Sequence, residues 1–425
     1  YKSYLTLNIK ARNDWASTLS PANRSIFYPA VAASFVLTEA IPSLKDNKYI
    51  NLIKLRANIG EVGKGAPVYS TDTYFAKSGA SDGFTAGIIF PYNSLTAFTL
   101  SNAAGQPDIT PEFTREIEVG GEFGFFNNRL TIDGSYYERK TRNVILSVPL
   151  SVTSGIGTVV KNAGKLSTKG MELLVAGTPL RSQNFSWDLS VNFTKFKSMV
   201  DELAPGVSVI TLGGFVTPNV RLVAGEEYGS IYGNAYQRNA QGQLLLTAAG
   251  LPQATADVRK IGNPNPDWTA GIQNNFNYKG FSLSALLDIR QGGDQYSRNI
   301  ADVQRNGVTI ETAELPRFDA AGVALLNQMY PGVYASNGQT NTTMVSSQLF
   351  YGNTGKYVAA EGFMYDTSWF RIREASLSYT FPKSMLTKTP FGNAEIGVFG
   401  RNIFLNAPNY PHFDPEQNAL GISNA

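Results

Sequence analysis

Residues 281–291, FSLSALLDIRQ, alternate almost one by one: Phe281, Leu283, Ala285, Leu287 and Ile289 fall on one side, Ser282, Ser284, Asp288 and Arg290 on the other. Successive side chains of a strand point to opposite faces, so this pattern predicts a strand that separates an apolar environment from a wet one. The split recurs along the chain. Residues 130–139 set Leu130, Ile132 and Tyr136 against Thr131, Asp133, Ser135, Tyr137 and Arg139, and residues 187–194 set Trp187, Leu189, Val191 and Phe193 against Asp188, Ser190, Asn192 and Thr194. Residues 5–10, 53–59 and 116–125 repeat it, the last with Glu116, Glu118 and Glu122 on its polar side. Period two predicts about eleven strands, near 3–11, 29–38, 50–62, 112–126, 130–142, 164–179, 184–198, 268–279, 281–291, 368–382 and 394–404.

The connections are unequal. NNR (127–129), PLRSQN (179–184) and YKG (278–280) read as tight turns of the kind Asn and Gly permit. The stretches 63–111, 199–267 and 292–367 far exceed the usual loop of about 4–6 residues. Short and long connections are expected to alternate strictly, which puts all the short ones at one end of the strands and all the long ones at the other. A soluble sandwich has no reason to sort its loops by length, whereas an outer-membrane barrel has short periplasmic turns, long extracellular loops, an apolar belt and a polar lumen. The pattern therefore favours the barrel over a large soluble β-protein.

Composition narrows this further. No stretch carries the roughly 18 apolar residues of a membrane helix, and 40 Gly, 21 Tyr and 25 Phe point to an all-β chain rich in turns. A net charge of +3 with 16% charged residues leaves no electrostatic footprint for nucleic acid. The absence of cysteine removes disulfides, thiol catalysis and zinc-cysteine sites, and a single histidine argues against histidine-dependent catalysis. The opening YKSYLTLNIK has no signal-peptide pattern, which leaves either a cytosolic protein or a chain that starts within a longer one.

Several segments resemble, in order, the signature segments of the SusC/RagA family of TonB-dependent outer-membrane transporters of Bacteroidetes. These are RNDWASTLSPANRSIFYPAVAASFVLTE (12–39), LIKLRANIGEVGKGAP (52–67), ITPEFTREIEVGGEFGFFNNRLTIDGSYYERKTRNVIL (109–146), GNPNPDWTAGIQNNFNYKGFSLSALLDIRQGGDQYSRN (262–299), SWFRIREASLSYTFP (368–382) and GRNIFLNAPNYPHFDPE (400–416). The resemblance implies an antiparallel transmembrane β-barrel of about 22 strands, of which residues 1–425 would be the C-terminal portion. Plug domain, TonB-engaging motif and closing strand are then expected outside this chain, which stops at GISNA. It further implies a non-enzymatic function without cofactor: active import of oligosaccharides or peptides across the outer membrane, energised by the TonB complex, with a SusD-like surface lipoprotein over the mouth. A passive porin or an adhesin barrel is the alternative.

Candidate chemistry is sparse, and no clustered nucleophile or acid–base set is present. His412, in NYPHFDPE beside Asp414 and Glu416, is expected to be a turn residue rather than a metal ligand. YGNTGK (351–356) lacks the Ser or Thr after its lysine that a phosphate loop requires, so it is expected to be a plain loop. Glu116, Glu118 and Glu122 are expected to find basic cross-strand partners such as Arg139 or Lys54. WFRIRE (369–374) suggests an aromatic girdle whose arginines reach anionic lipid. GGDQYSRN (292–299), at the mouth of a strand, offers Asp294, Tyr296 and Arg298 for substrate contact, against a simpler role in glycine-assisted turning at the rim.

Overall fold

The computed structural model describes residues 2–45, 47–80 and 87–416; the GISNA end lies outside them. Eleven strands form one antiparallel meander in which each pairs with its neighbours in sequence. They are β1 (Leu5–Trp15), β2 (Ser25–Val36), β3 (Ile50–Lys64), β4 (Glu112–Phe125), β5 (Leu130–Pro149), β6 (Thr158–Arg181), β7 (Phe185–Leu203), β8 (Trp268–Tyr278), β9 (Phe281–Gln291), β10 (Trp369–Thr380) and β11 (Glu395–Asn406). All eleven expected strands are present. The clearest misjudged ends belong to β5 and β6, which extend further because the register shifts between Thr141 and Val144, with Asn143 at φ +57°. The bulge breaks the alternation while the pairing continues. Among the described residues no strand pairs with the outer side of β1 or β11, and no helix is long and apolar enough to cross a membrane.

The three long connections, 65–111, 204–267 and 292–368, do share one end of the sheet. Alternation by length is nevertheless not strict. That same end also carries the short links 16–24 and 150–157, while the opposite end carries 37–49 and 381–394 besides its tight turns. A hairpin joining adjacent strands needs only a few residues, so extra length collects where loops have something to pack against.

Register places one apolar face across the whole sheet. Val175, Val191, Ile272, Leu287, Ile372 and Phe404 form a continuous row over β6–β11. Ile9, Val31, Ile59 and Ile117 form another over β1–β4. Ile9 and Val398 are each 70% exposed, which a water-soluble sheet would not leave on so broad a surface. Aromatic rings gather at the tight-turn end: Tyr49 meets Phe126 edge-on at 6.2 Å, and Phe281 lies 4.6 Å from Tyr379. Such rings suit a headgroup boundary, where one end of the residue is apolar and the other wet.

A wall with lipid on one face and water on the other is one layer thick and has no core of its own. The buried clusters all sit at the long-loop end. They centre on Leu19, Ile26, Ala66 and Ile109; on Val148, Ala163, Val200, Ile210 and Leu222; and on Tyr296, Ala301, Ala360 and Phe363. Loop 204–267 contains its own four-stranded sheet, and loop 292–368 a helix, Arg298–Arg305, whose first turn is capped by the Ser297 hydroxyl accepting from the Ile300 N–H at 3.3 Å. The two loops are tied together. Leu245 and Leu246 pair in parallel with Val333 and Tyr334, and Arg238 reaches Glu361 at 2.8 Å.

Candidate functional site

The polar face of β3–β5 is a ladder of matched charges. Lys54 lies 3.4 Å from Glu122, Arg139 is 2.6 Å from Glu116, and Arg56 joins Asp133 at 2.6 Å and Glu118 at 3.5 Å. All three glutamates thus have basic partners, two of them those expected from the alternation. Register explains it, because Glu116 opposes Arg139 and Glu122 opposes Lys54 directly. Each partly exposed pair contributes about 0–1 kcal/mol, so the ladder's main consequence is a wall whose charges are already satisfied.

WFRIRE departs from expectation. Trp369 pairs with Arg290 and Arg371 with Asp288, which puts both on the polar face, and the register shift between Ile372 and Glu374 turns Arg373 to that face as well. Of its two aromatic residues only Phe370 remains on the apolar face, against Phe404 at 5.6 Å. The arginines therefore point away from lipid. Their partners come from β9 and from a segment after β11: Arg371 reaches Asp414 at 2.6 Å and Glu416 at 3.1 Å, and Arg373 bridges Asp288 of β9 at 2.5 Å and Glu416 at 2.7 Å. Both guanidiniums lie against Trp369, 5.2 and 5.5 Å from its ring. The Arg371 side chain is only 3% exposed.

Residues 407–416 thus form a strap from the wall to the long loops. Tyr410 is buried against Tyr365 at 5.7 Å, and Asn409 donates to Asp366 at 3.2 Å. His412, at φ +70°, stands 2.8 Å from Glu311. Its neighbours Asp414 and Glu416 are spent on arginines, and among the described residues no three His, Cys, Asp or Glu side chains are grouped to hold a metal ion. The strap escaped prediction. Its one sequence signal was the matching two-residue spacing of Arg371 and Arg373 with Asp414 and Glu416.

The strap should be acid-labile. Burial is the largest influence on the Asp414 carboxyl and raises it, but the hydrogen bonds from Arg371 and the Glu416 N–H, together with the charges of Arg371 and Arg373, outweigh it and hold the group below its ordinary value; for Glu416 the Arg373 hydrogen bond comes first and outweighs burial. A carboxylate depressed in the folded state contributes stability that is full above its unfolded pKa of about 4 and lost as pH falls through the lower folded value. Protection of the backbone amides over 407–416, with exchange corrected for its intrinsic pH dependence, should be unchanged from pH 7 to 5 and fall below about pH 4 relative to the wall strands. Protection that persists at pH 3 would show that the strap does not depend on these pairs.

Asp294, Tyr296 and Arg298 lie together at the rim, on the strand Asp294–Tyr296 and the start of the helix after it. Gly292 and Gly293, both at positive φ, make the turn that brings the chain there. Asp294 accepts the Asn263 N–H at 2.9 Å, and burial raises its carboxyl. Tyr296 is 5% exposed, its hydroxyl pushed up to about 12 by burial. Arg298 pairs with Asp302 at 2.8 Å and remains 40% exposed. Nearby, Lys356 of YGNTGK is neither a phosphate ligand nor a free loop residue: burial lowers its amine, which donates to Gln304 at 2.8 Å.

Comparison with known proteins agrees with this architecture. Residues 1–403 match the family model "TonB dependent receptor-like, beta-barrel". Similar curated proteins include TonB-dependent receptor P3 of Formosa agariphila, 27% identical over all of this chain and 42% of its own length. TonB-dependent receptor SusC of Bacteroides thetaiotaomicron is 24% identical over 95% of this chain and 39% of its own. The chain therefore spans about two fifths of the length of these relatives. Among solved structures, the RagAB peptide importer in its "closed-closed" state superposes with a TM-score of 0.72 at 19% identity, covering 97% of this chain and 43% of that one. With its polar face toward the lumen and its apolar face toward lipid, the chain belongs to the TonB-dependent receptor β-barrel family, of SusC/RagA type, and is an integral protein of the Gram-negative outer membrane.

Proposed function

We propose that these residues are the C-terminal portion of a transporter barrel that imports oligosaccharides or peptides, energised by the TonB complex through a plug-bearing portion outside this chain. The observation that carries the reading is the joined cap of long loops above a charge-matched polar wall: loops 204–267 and 292–368 interlock, and the strap anchors them to β10. A passive porin would need no such tie. Deleting TonB separates the two, since uptake that persists without it identifies a passive barrel or another energy source.

The topology follows from the same arrangement. Turns 126–129, 182–184 and 279–280 face the periplasm and the long loops face outward. Epitope tags at Gly242 and Asn337, both in exposed turns with positive or neighbouring positive φ, should be labelled on intact cells. A tag within 126–129 should be labelled only after lysis, and surface labelling there would invert the assignment.

The cap is proposed as the docking surface of a SusD-like lipoprotein that closes over the mouth as a hinged lid. Its support is the apolar rim of loop 292–368: Val308 and Ile310 are 67% exposed and Leu326 63%. Asp294, Tyr296 and Arg298 are proposed substrate contacts beneath that lid, with Arg298 the member that reaches solvent. In mild detergent a stoichiometric lipoprotein should co-purify, and deletion of 320–345 should weaken its retention. A barrel that elutes alone while still transporting would refute the lid.

A further inference from the structure

On β3–β5 the lumen-facing charges are matched, but on the lipid side of β4–β7 cations are left over. Ile117 belongs to the apolar face, so Arg115, two residues on, shares it. Strand pairing carries that face to Lys140 on β5, to Lys169 on β6 and to Lys195 and Lys197 on β7. All five are exposed. Arg115, Lys140 and Lys195 each lie about ten residues from the tight-turn end of their strands, at Phe125, Leu130 and Phe185, which is roughly 33 Å of strand or about 25 Å of height at a tilt near 40°. That height is the far edge of the apolar band.

These cations are poorly placed for one another. Arg115 stands directly opposite Lys140, and Lys169 directly opposite Lys197, and like charges so opposed on neighbouring strands are destabilising. The nearby carboxylates do not cancel them. Glu138 is 3.1 Å from Lys140, Glu227 is 3.1 Å from Lys197, and Glu61, opposite Arg115 in the register, is bound by Arg142. Among the described residues Arg115, Lys169 and Lys195 have no ion-pair partner. Nor do the cations ring the barrel as a snorkelling girdle would: at the same distance from the tight turns, the lipid face of β8, β9 and β10 carries Trp268, Gln291 and Phe370. Below the basic patch the wall is exposed and apolar, with Ile117, Val119 and Met171 at its surface.

We propose that this patch binds the phosphorylated headgroup of a lipopolysaccharide molecule in the outer leaflet, its phosphate oxygens bridging the opposed cations and its acyl chains lying on Ile117, Val119 and Met171. An anion between two facing cations replaces a repulsion by two attractions, and the Arg115 guanidinium can hold two phosphate oxygens at once. A free anion would meet the same charges but would leave the apolar surface beneath them unused. The inference rests on the outward orientation of the long loops, which puts the patch at the outer leaflet.

The full-length transporter in mild detergent would be titrated with diphosphoryl lipid A and followed by native mass spectrometry and heat-induced unfolding. Dephosphorylated lipid A, phosphatidylglycerol and inorganic phosphate are the parallel probes. Diphosphoryl lipid A should bind saturably and raise the unfolding temperature. Each basic residue near an anionic headgroup contributes roughly a factor of five, so Arg115→Gln, Lys169→Gln and Lys195→Gln together should weaken binding about a hundredfold while the folded fraction stays unchanged. The charge-keeping set Arg115→Lys, Lys169→Arg and Lys195→Arg should still bind. Should the triple glutamine variant fail to assemble, Lys169→Gln alone should show the loss of about fivefold. Equal binding of dephosphorylated lipid A or of phosphatidylglycerol, full competition by inorganic phosphate, or undiminished affinity in the glutamine variants would overturn the site. Surface labelling of the Gly242 tag tests the orientation separately: a tag on the outside with no lipid A binding removes this site and leaves the topology standing.

Discussion

Leu287→Arg and Leu189→Arg should sharply lower the amount of folded barrel in the outer membrane, while Ser284→Arg and Ser190→Arg should leave it near the level of the unaltered protein. Leu287 sits in the apolar row between Ile272 and Ile372, and Leu189 alternates with Val191 and Trp187 on the same face. An arginine on the lipid side costs about 2–4 kcal/mol near the bilayer midplane, because hydrocarbon offers the guanidinium neither water nor a partner. On the opposite face Ser284 and Ser190 lie beside Asn275 and Gln273, where water and amides can solvate a charge. The measurement is the heat-modifiable, folded fraction in outer-membrane preparations. Equal losses in both pairs would mean that the two faces do not separate lipid from water, and losses confined to the serine variants that the faces are exchanged.

Asp414→Asn combined with Glu416→Gln should release the strap and destabilise the end of β10. Arg371 is 3% exposed and, among the described residues, takes its carboxylates from those two alone. Leaving a buried charge without its partner costs about 3–5 kcal/mol, whereas replacing a whole buried ion cluster by apolar groups of similar volume is often neutral. Arg371→Met added to the double variant should therefore restore much of what the double variant loses. Arg373 loses Glu416 but keeps Asp288 in both cases, so Arg371 is the guanidinium left without a carboxylate. Protease resistance of 407–416 and the heat-induced unfolding temperature of the barrel report the two consequences. A double variant indistinguishable from the parent would show that the ion pairs do not hold the strap. A triple variant no better than the double would assign the loss to local packing instead of an unpaired charge.

Strands and their faces were legible because the bilayer acts on each strand separately. Phe281, Leu283 and Leu287 must be apolar whichever strands stand beside them, so a period-two pattern in eleven residues is sufficient. Partners were less so. Glu116 and Arg139 were readable as a pair because one tight turn sets the β4–β5 register, but Arg56 and Asp133 are 77 residues apart and meet across β4.

Alternation was already written into the residues, and with it came the number of strands, the apolar and polar faces and the places where long loops begin. Which way WFRIRE points emerged with strand pairing, since the register shift before Glu374 turns Arg373 toward Arg371 and no periodicity announces a bulge. The assembled fold likewise brings Asp414 and Glu416, 43 residues from their arginines, back onto the wall, and locks loops 204–267 and 292–368 together. The physical reason is one of range: lipid and water select each residue locally through solvation, whereas a strap or a joined cap exists only once distant segments share a surface on which their charges and rings can meet.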